Sequence, residues 1–252
     1  MRLILIRHAQ SANNVVIETG DYASYLATRV PEPPITSVGV EQAAALAREF
    51  PVRYAPGKPK GRSRFDFHPA GEGGEHGITH FYASPMLRTL QTALPLAQAL
   101  SLQPEVWPAI HEHGGTFRGD PHAGEVSDLH GLTRAEMAAQ FPGYHLPEAV
   151  GEAGWWRGGY ETIEECDVRA TAVAAHLRAM AALAPEATVL LVTHGTFLDR
   201  FFKALLGLGP SAQMVFNHLN TAVSRVDFLE EGWVALRYLN RVEHLPAALV
   251  TR

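Results

Sequence analysis

Short unbroken apolar runs alternate along this chain with longer segments whose apolar residues recur at helical spacing. Leu3-Ile4-Leu5-Ile6 and Val189-Leu190-Leu191-Val192 lack polar alternation, which predicts strands buried on both faces over about 2–7 and 188–193. Shorter runs predict strands over Thr79–Ala83 and Pro104–Trp107. Val40, Ala43, Ala44, Leu46, Ala47 and Phe50 predict a helix opened by Thr36 or Ser37 and ending near Phe50. Ser84-Pro85 predicts another start, with Ser84 as N-cap and Pro85 at the first position, for a helix ending near Leu100. Helices are further predicted over about 132–141 (capped near Thr133), 163–183 and 196–206. Ala222–Phe228 and Trp233–Leu239 flank a tight-turn sequence and predict a hairpin. Residues 11–34 read as irregular apart from a short helix over Tyr22–Thr28, and 111–131 as a loop rich in glycine and histidine. The alternation of strands and helices predicts a mainly parallel sheet with helices on both faces.

Length and composition narrow the classes. At 252 residues, with no linker between self-sufficient patterns, a single domain over 1–252 is expected, with insertions at about 51–77 and 114–160. Hydrophobic content of 46% and charged content of 19% fit a globular protein. A net charge of -5 argues against general nucleic-acid binding. The apolar stretch Leu3–Ile6 is too short for a signal peptide or a membrane span, so no membrane partner and a cytoplasmic location are expected. The single cysteine, Cys166, excludes an intrachain disulfide framework.

Candidate chemistry sits where the first and fourth strands end. Ligand sites in open α/β sheets lie outside the carboxyl ends of the strands. There the chain places Arg7-His8 and His194-Gly195, with Arg88 following the second strand. Metal-free phosphoryl transfer needs a nucleophile, cationic donors for the nonbridging oxygens and a proton donor for the leaving oxygen. A histidine serves as nucleophile when one ring nitrogen is neutral and the other is held by an acceptor. Arginines supply bidentate donors.

The residues that carry this chemistry resemble the signatures of the histidine phosphatase superfamily, also called phosphoglycerate mutase-like. Arg7-His8-Ala9-Gln10-Ser11 with Asn14 resembles its opening motif. Pro34-Ile35-Thr36, Gly39 and Gln42-Ala43 resemble the second signature. Ser84-Pro85-Met86-Leu87-Arg88-Thr89-Leu90-Gln91-Thr92-Ala93 resembles the third, and Val192-Thr193-His194-Gly195 the fourth. The four stand in the family's order. The resemblance implies a three-layer α/β/α sandwich around a mostly parallel six-stranded sheet with one antiparallel edge strand. It implies His8 as the phosphorylated nucleophile, with Arg7, Arg88 and His194 around the phosphoryl group and Asn14 as a supporting donor. Glu112, in the loop after the third strand, matches the usual proton donor. Gly195 follows the second histidine where the other branch has Asp, which places the chain with the mutase and small-phosphatase branch. Ala9, Gln10 and Ser11 depart from the usual Gly, Glu and Thr. The chain also lacks the segments that mark dedicated phosphoglycerate mutases.

Other readings stand beside this one. Asp120, Glu125 and Asp128 compete with Glu112 for the acid role. His111, His113, His122 and His130 invite a metal site, but no zinc-type spacing supports it, so no metal and no cofactor are expected. Lys58–Arg64 either attract an anionic substrate or solvate a loop. Trp155 and Trp156 either cover a cleft or pack on the core. The expected function is a metal-independent phosphatase acting on a small phosphorylated substrate through phosphohistidine. Phosphate or sulfate is an expected occupant of its site. The alternatives are a phosphoglycerate mutase using the same histidine, and a low-turnover phospholigand-binding or regulatory protein. An edge-strand homodimer is compatible with the pattern.

Overall fold

The computed structural model describes residues 1–54, 77–209 and 212–252. Most of the insertion expected over 51–77, with Lys58, Lys60, Arg62 and Arg64, lies outside the described residues. The described strands are β1 (Arg2–Arg7), β2 (His80–Ala83), β3 (Glu105–Val106), β4 (Phe117–Asp120), β5 (Glu125–Asp128), β6 (Thr188–Thr193), β7 (Val223–Phe228) and β8 (Val234–Arg241). Six of them form one sheet in the order β3-β2-β6-β1-β7-β8. β3, β2, β6 and β1 run parallel, β7 runs against β1, and β8 runs against β7. The one antiparallel strand therefore lies a place in from the edge, and β8 forms the edge itself.

Helices cover both faces, as the unbroken apolar runs require. The helices are α1 (Ala12–Thr19), α2 (Tyr22–Thr28), α3 (Ser37–Arg53), α4 (Leu87–Leu100), α5 (Arg134–Gln140), α6 (Ile163–Leu183) and α7 (Gly195–Leu205). Ile4, Ile6, Leu190 and Val192 pack with Leu46 and Phe50 of α3 and Leu90 of α4. Leu3, Leu5 and Leu191 point the other way, onto Leu177 of α6 and Phe197, Phe201 and Phe202 of α7. This is the expected three-layer sandwich. Among the described residues, no helix is long and apolar enough to cross a membrane.

Local differences from the sequence reading have identifiable causes. α1 replaces an expected irregular stretch, because Ser11 and Asn14 form a reciprocal cap that outweighs the β-branched Val15, Val16 and Ile17. α3 continues three residues past Phe50 through Pro51, with Phe50 and Tyr54 anchored in the core. The glycine-rich stretch after His111 holds the hairpin β4–β5 rather than loop throughout. Gly119 has φ +103, and a Cβ there would lie 1.9 Å from the Glu125 carbonyl oxygen, so its glycine marks close strand approach rather than disorder. α4 begins at Leu87, not Pro85, and its N-cap Met86 supplies no side-chain acceptor. Ser84 is engaged elsewhere.

Candidate active site

The parallel register of β1 and β6 builds the centre. Arg7 pairs with Thr193, so the next residues, His8 and His194, leave the sheet side by side. Their ring centroids lie 5.2 Å apart. Both are buried. The His8 Nδ1 atom lies 2.7 Å from the Ala9 carbonyl oxygen, an acceptor that only a protonated Nδ1 can meet. Arg88 Nε donates to His8 Nε2 at 3.2 Å. The ring is thus held as the neutral tautomer with its lone pair on Nε2. Burial, then the charges of Arg88 and Arg7, hold His8 well below the usual histidine range.

The cations are themselves held. Arg88, on the first turn of α4, is buried, and burial lowers its pKa. Arg7 donates through Nη1 to the His218 carbonyl, and burial draws it down to about 10, which leaves it charged at neutral pH. Arg7 Nε and His194 Nδ1 are buried without a hydrogen-bond partner. Unpartnered buried polar atoms are costly, and two of them beside paired arginines are what an anion would satisfy. A Cβ at Gly195 would stand 3.3 Å from Arg7 Nε, so residue 195 leaves room for the guanidinium.

Ser84 was missed as a site residue. Its Oγ lies 2.7 Å from His194 Nε2, and both residues are fully buried. The Met86 N–H reaches the same Oγ at 3.5 Å, and the hydroxyl hydrogen can be given to His194 Nε2. With that donation, the ring's own proton stands on Nδ1, the nitrogen without a partner. Burial, then Arg88 and His8, hold this ring well below the usual histidine range.

Glu112 sits at the N-terminus of α7. Its Oε1 accepts from the backbone N–H of Phe197 and of His113, both at 2.9 Å. Its Oε2 accepts only the longer bond from Thr196 N, at 3.2 Å. Oε2 is therefore the oxygen with lone-pair capacity left for a proton. Asn14 Oδ1 accepts from Ser11 N and Ser11 Oγ, so the amide's NH2 end is what it can offer a ligand.

One cavity of about 580 Å³ is lined by Arg7, His8, Asn14, Arg88 and Glu112 together, with α1, α2 and the β4–β5 hairpin contributing to its walls. His194 lies beneath, against His8. Of the rival acids, Asp120 accepts from His122 N and does not line the cavity, nor does Glu125. Asp199 does line it, a carboxylate the sequence did not single out, but its oxygens accept from Lys203 Nζ at 2.8 Å and Phe216 N at 2.9 Å.

The four histidines considered for a metal do not converge. His111 is buried with Nε2 3.5 Å from Glu161 and its ring against Trp155 and Trp156. His113 lines the cavity beside Tyr160, and His122 lines it too, exposed against Tyr22. Among the described residues, no three His, Cys, Asp or Glu side chains are grouped to hold a metal ion. Trp155 and Trp156 pack on the core rather than line the cavity. Trp155 Nε1 donates to Glu32 Oε1 at 3.1 Å, and Glu32 Oε2 accepts from Leu87 N at 3.0 Å. Glu32 thus caps α4 from another segment, where Met86 cannot. Burial raises the pKa of Glu32.

The family model of the histidine phosphatase superfamily (branch 1) matches residues 71–241, more than half of the chain. The chain belongs to the histidine phosphatase superfamily. The matched residues contain Arg88, Glu112 and His194; Arg7, His8 and Asn14 precede them and join them in space. A probable phosphoglycerate mutase GpmB of Yersinia enterocolitica is 27% identical over 242 residues, covering 93% of this chain and 88% of the relative. Phosphoserine phosphatase of Entamoeba histolytica, solved with 3-phosphoglyceric acid, aligns at 16% identity and TM-score 0.57, covering 97% and 99% of the two chains. The alpha-ribazole phosphatase of Shigella flexneri aligns at 19% identity and TM-score 0.59, with 96% of each chain covered. At these identities the solved structures establish the superfamily's fold for this chain.

Proposed function

We propose that this histidine phosphatase superfamily member hydrolyses small phosphomonoesters through a phosphohistidine on His8, without a metal ion. The observation that carries this reading is the neutral, buried His8 whose Nε2 lone pair accepts from Arg88 Nε, a donor that a phosphoryl oxygen can take over. In the first step Nε2 attacks phosphorus and the bond from phosphorus to the leaving oxygen breaks. Arg7, Arg88 and His194 Nδ1–H stabilise the nonbridging oxygens, and Asn14 assists. A protonated Glu112 gives its proton to the leaving oxygen. In the second step the Glu112 carboxylate takes a proton from water as the water oxygen attacks phosphorus and the phosphorus–nitrogen bond breaks. His8 returns as the neutral ring, Glu112 as the acid, and inorganic phosphate leaves.

A mutase reading is favoured by the name of the Yersinia relative. It would keep the same phosphohistidine and return the phosphoryl group to bound product. Phosphoglycerate also brings a carboxylate that needs cations. Among the described residues, the one arginine lining the cavity besides Arg7 and Arg88 is Arg29, and it already donates to Tyr25 Oη and the Phe117 carbonyl. The test is phosphate release from p-nitrophenyl phosphate in excess chelator, with His8→Ala alongside. Chelator-resistant release that the variant loses is expected. Release lost on chelation would overturn the metal-free reading, and phosphoglycerate interconversion faster than hydrolysis would establish the mutase.

A further inference from the structure

The cavity that contains His8 has a second character away from its charges. α2 brings Tyr22 and Tyr25 to it, the β4–β5 hairpin brings Phe117, and the segment before α6 brings Tyr160. These rings are arranged as a wall and not as a core. Tyr22 is 52% exposed, Tyr25 and Tyr160 are half-buried, and only Phe117 is closed in. Tyr22 and Tyr25 stand 6.2 Å apart between centroids, and Phe117 meets Tyr160 edge to face at 4.9 Å. Arg29 ties the two sides together. Its guanidinium lies 3.7 Å from the Phe117 ring centroid and 5.6 Å from that of Tyr25.

The backbone is built to admit this wall. Gly114 has φ +89, and a Cβ there would come within 2.9 Å of Phe117 and 3.2 Å of Tyr160. An ordinary residue would be strained in that conformation and would push the two rings apart. Gly114 stands two residues after Glu112, so the proposed acid and the aromatic wall are set by one short segment. Among the described residues Arg29 is the one arginine on this side, and two of its donors go to the Tyr25 hydroxyl and the Phe117 carbonyl.

Resting on the phosphatase reading above, we propose that the leaving group this cavity selects is an alcohol carrying an aromatic ring, packed against Tyr22, Tyr25 and Tyr160, and not a short anionic acid. The rings make apolar and quadrupolar contacts that a sugar acid or glycerol cannot match. Such a substrate loses its phosphate by the balanced two-step route already described, and the ring changes only where the alcohol sits.

The test compares 2-phenylethyl phosphate with ethyl phosphate and 3-phosphoglycerate, all of which have unactivated alkyl leaving groups. A ring preference of roughly 10-fold or more in kcat/KM is expected, as one or two aromatic contacts should give. Tyr160→Ala and Tyr22→Ala should narrow that ratio. Binding of 2-phenylethylphosphonate and ethylphosphonate, measured by calorimetry, reads the same preference without turnover. Turnover with equal or reversed preference would overturn the ring proposal and leave the phosphatase reading standing. Ring-selective phosphonate binding with no phosphate release from any ester would do the reverse. Equal phosphonate affinities with no turnover would overturn both.

Discussion

Ser84→Ala isolates one hydroxyl that the sequence offers only as a helix cap. The substitution removes a bond of 2.7 Å between two fully buried groups and leaves the volume of the site almost unchanged. His194 Nδ1 already lacks a partner, so the variant leaves both ring nitrogens of a buried imidazole unpaired. Leaving a buried polar atom unsatisfied costs about 1–3 kcal/mol. At about 2–4 °C per kcal/mol for a chain of this size, the melting temperature should fall by roughly 2–12 °C. The consequence for activity is separate. Without the hydroxyl hydrogen on Nε2, nothing keeps the His194 proton on Nδ1, and the phosphoryl oxygens lose a fixed donor. The loss in kcat/KM should lie between about 5-fold and 150-fold, the same 1–3 kcal/mol expressed as a rate. Vanadate inhibition should weaken in parallel, because vanadate presents oxygens to the same donor. Steady-state phosphate release, vanadate titration and a thermal melt on one preparation check all three. A lowered melting temperature with unchanged kcat/KM and vanadate affinity would refute the donor assignment and reduce Ser84 to a packing residue.

Two further predictions follow from the geometry. Glu112→Gln keeps the shape of the side chain but removes the transferable proton, so hydrolysis of an alkyl phosphate should drop by about 10²–10⁴-fold, and that of p-nitrophenyl phosphate by much less in the first step. Equal alkyl activity would assign the acid role to another group. The second concerns pH. Burial holds His8, His194, His218 and His244 below the ordinary histidine range, with His218 and His244 at about 4. Below pH 6.5 the unfolded chain binds protons that the native chain refuses, so stability falls as pH falls. Each histidine contributes a slope of up to about 1.4 kcal/mol per pH unit, levelling off only below its folded value. Urea melts at pH 7.5, 6.5 and 5.5 should show this loss, and a flat profile would contradict neutral burial of the four rings.

The frame of the fold was legible because apolar periodicity reports burial directly. The strands at 2–7 and 188–193 and the helix at 163–183 stand where their patterns put them. Arg7, His8, Asn14, Arg88 and Glu112 line one cavity, and His194 adjoins it, because each follows a strand or opens a helix at the same sheet edge. What the pattern concealed is long-range. Ser84 in front of a proline looks like a helix cap, and only the pairing of β2 with β6 brings it to His194. Glu32 lies in a proline-rich turn and caps a helix that starts 55 residues later. Tyr22 opens a short expected helix and Phe117 lies in a stretch read as loop, and nothing in their spacing shows that they share a wall.

The second signature carries no chemistry of its own, and the structure explains why it accompanies the first. Every backbone polar group from His8 to Gln10 has a partner. His8 N donates to Thr193 O, and His8 O accepts from Asn220 Nδ2 and Thr221 N. Ala9 N donates to Thr92 Oγ1, and Ala9 O accepts from the His8 ring itself. Gln10 N donates to Gln42 Oε1, and Gln10 O accepts from Thr36 N. Thr36, Gly39 and Gln42 thus converge on one residue. A Cβ at Gly39 would fall 2.2 Å from the Gln10 carbonyl oxygen, so only glycine lets α3 approach that closely. Gln42 Nε2 passes the load to Thr251 Oγ1, and Thr251 Oγ1 donates to Asn220 Oδ1, which closes a loop of side chains back to His8. A nucleophile gains most from a fixed position, since orientation lost at the reacting atom is lost from the rate. Thr36, Gly39 and Gln42 of the second signature, with Thr92 of the third and Thr193 of the fourth, thus help to immobilise three consecutive peptide units beneath a single imidazole.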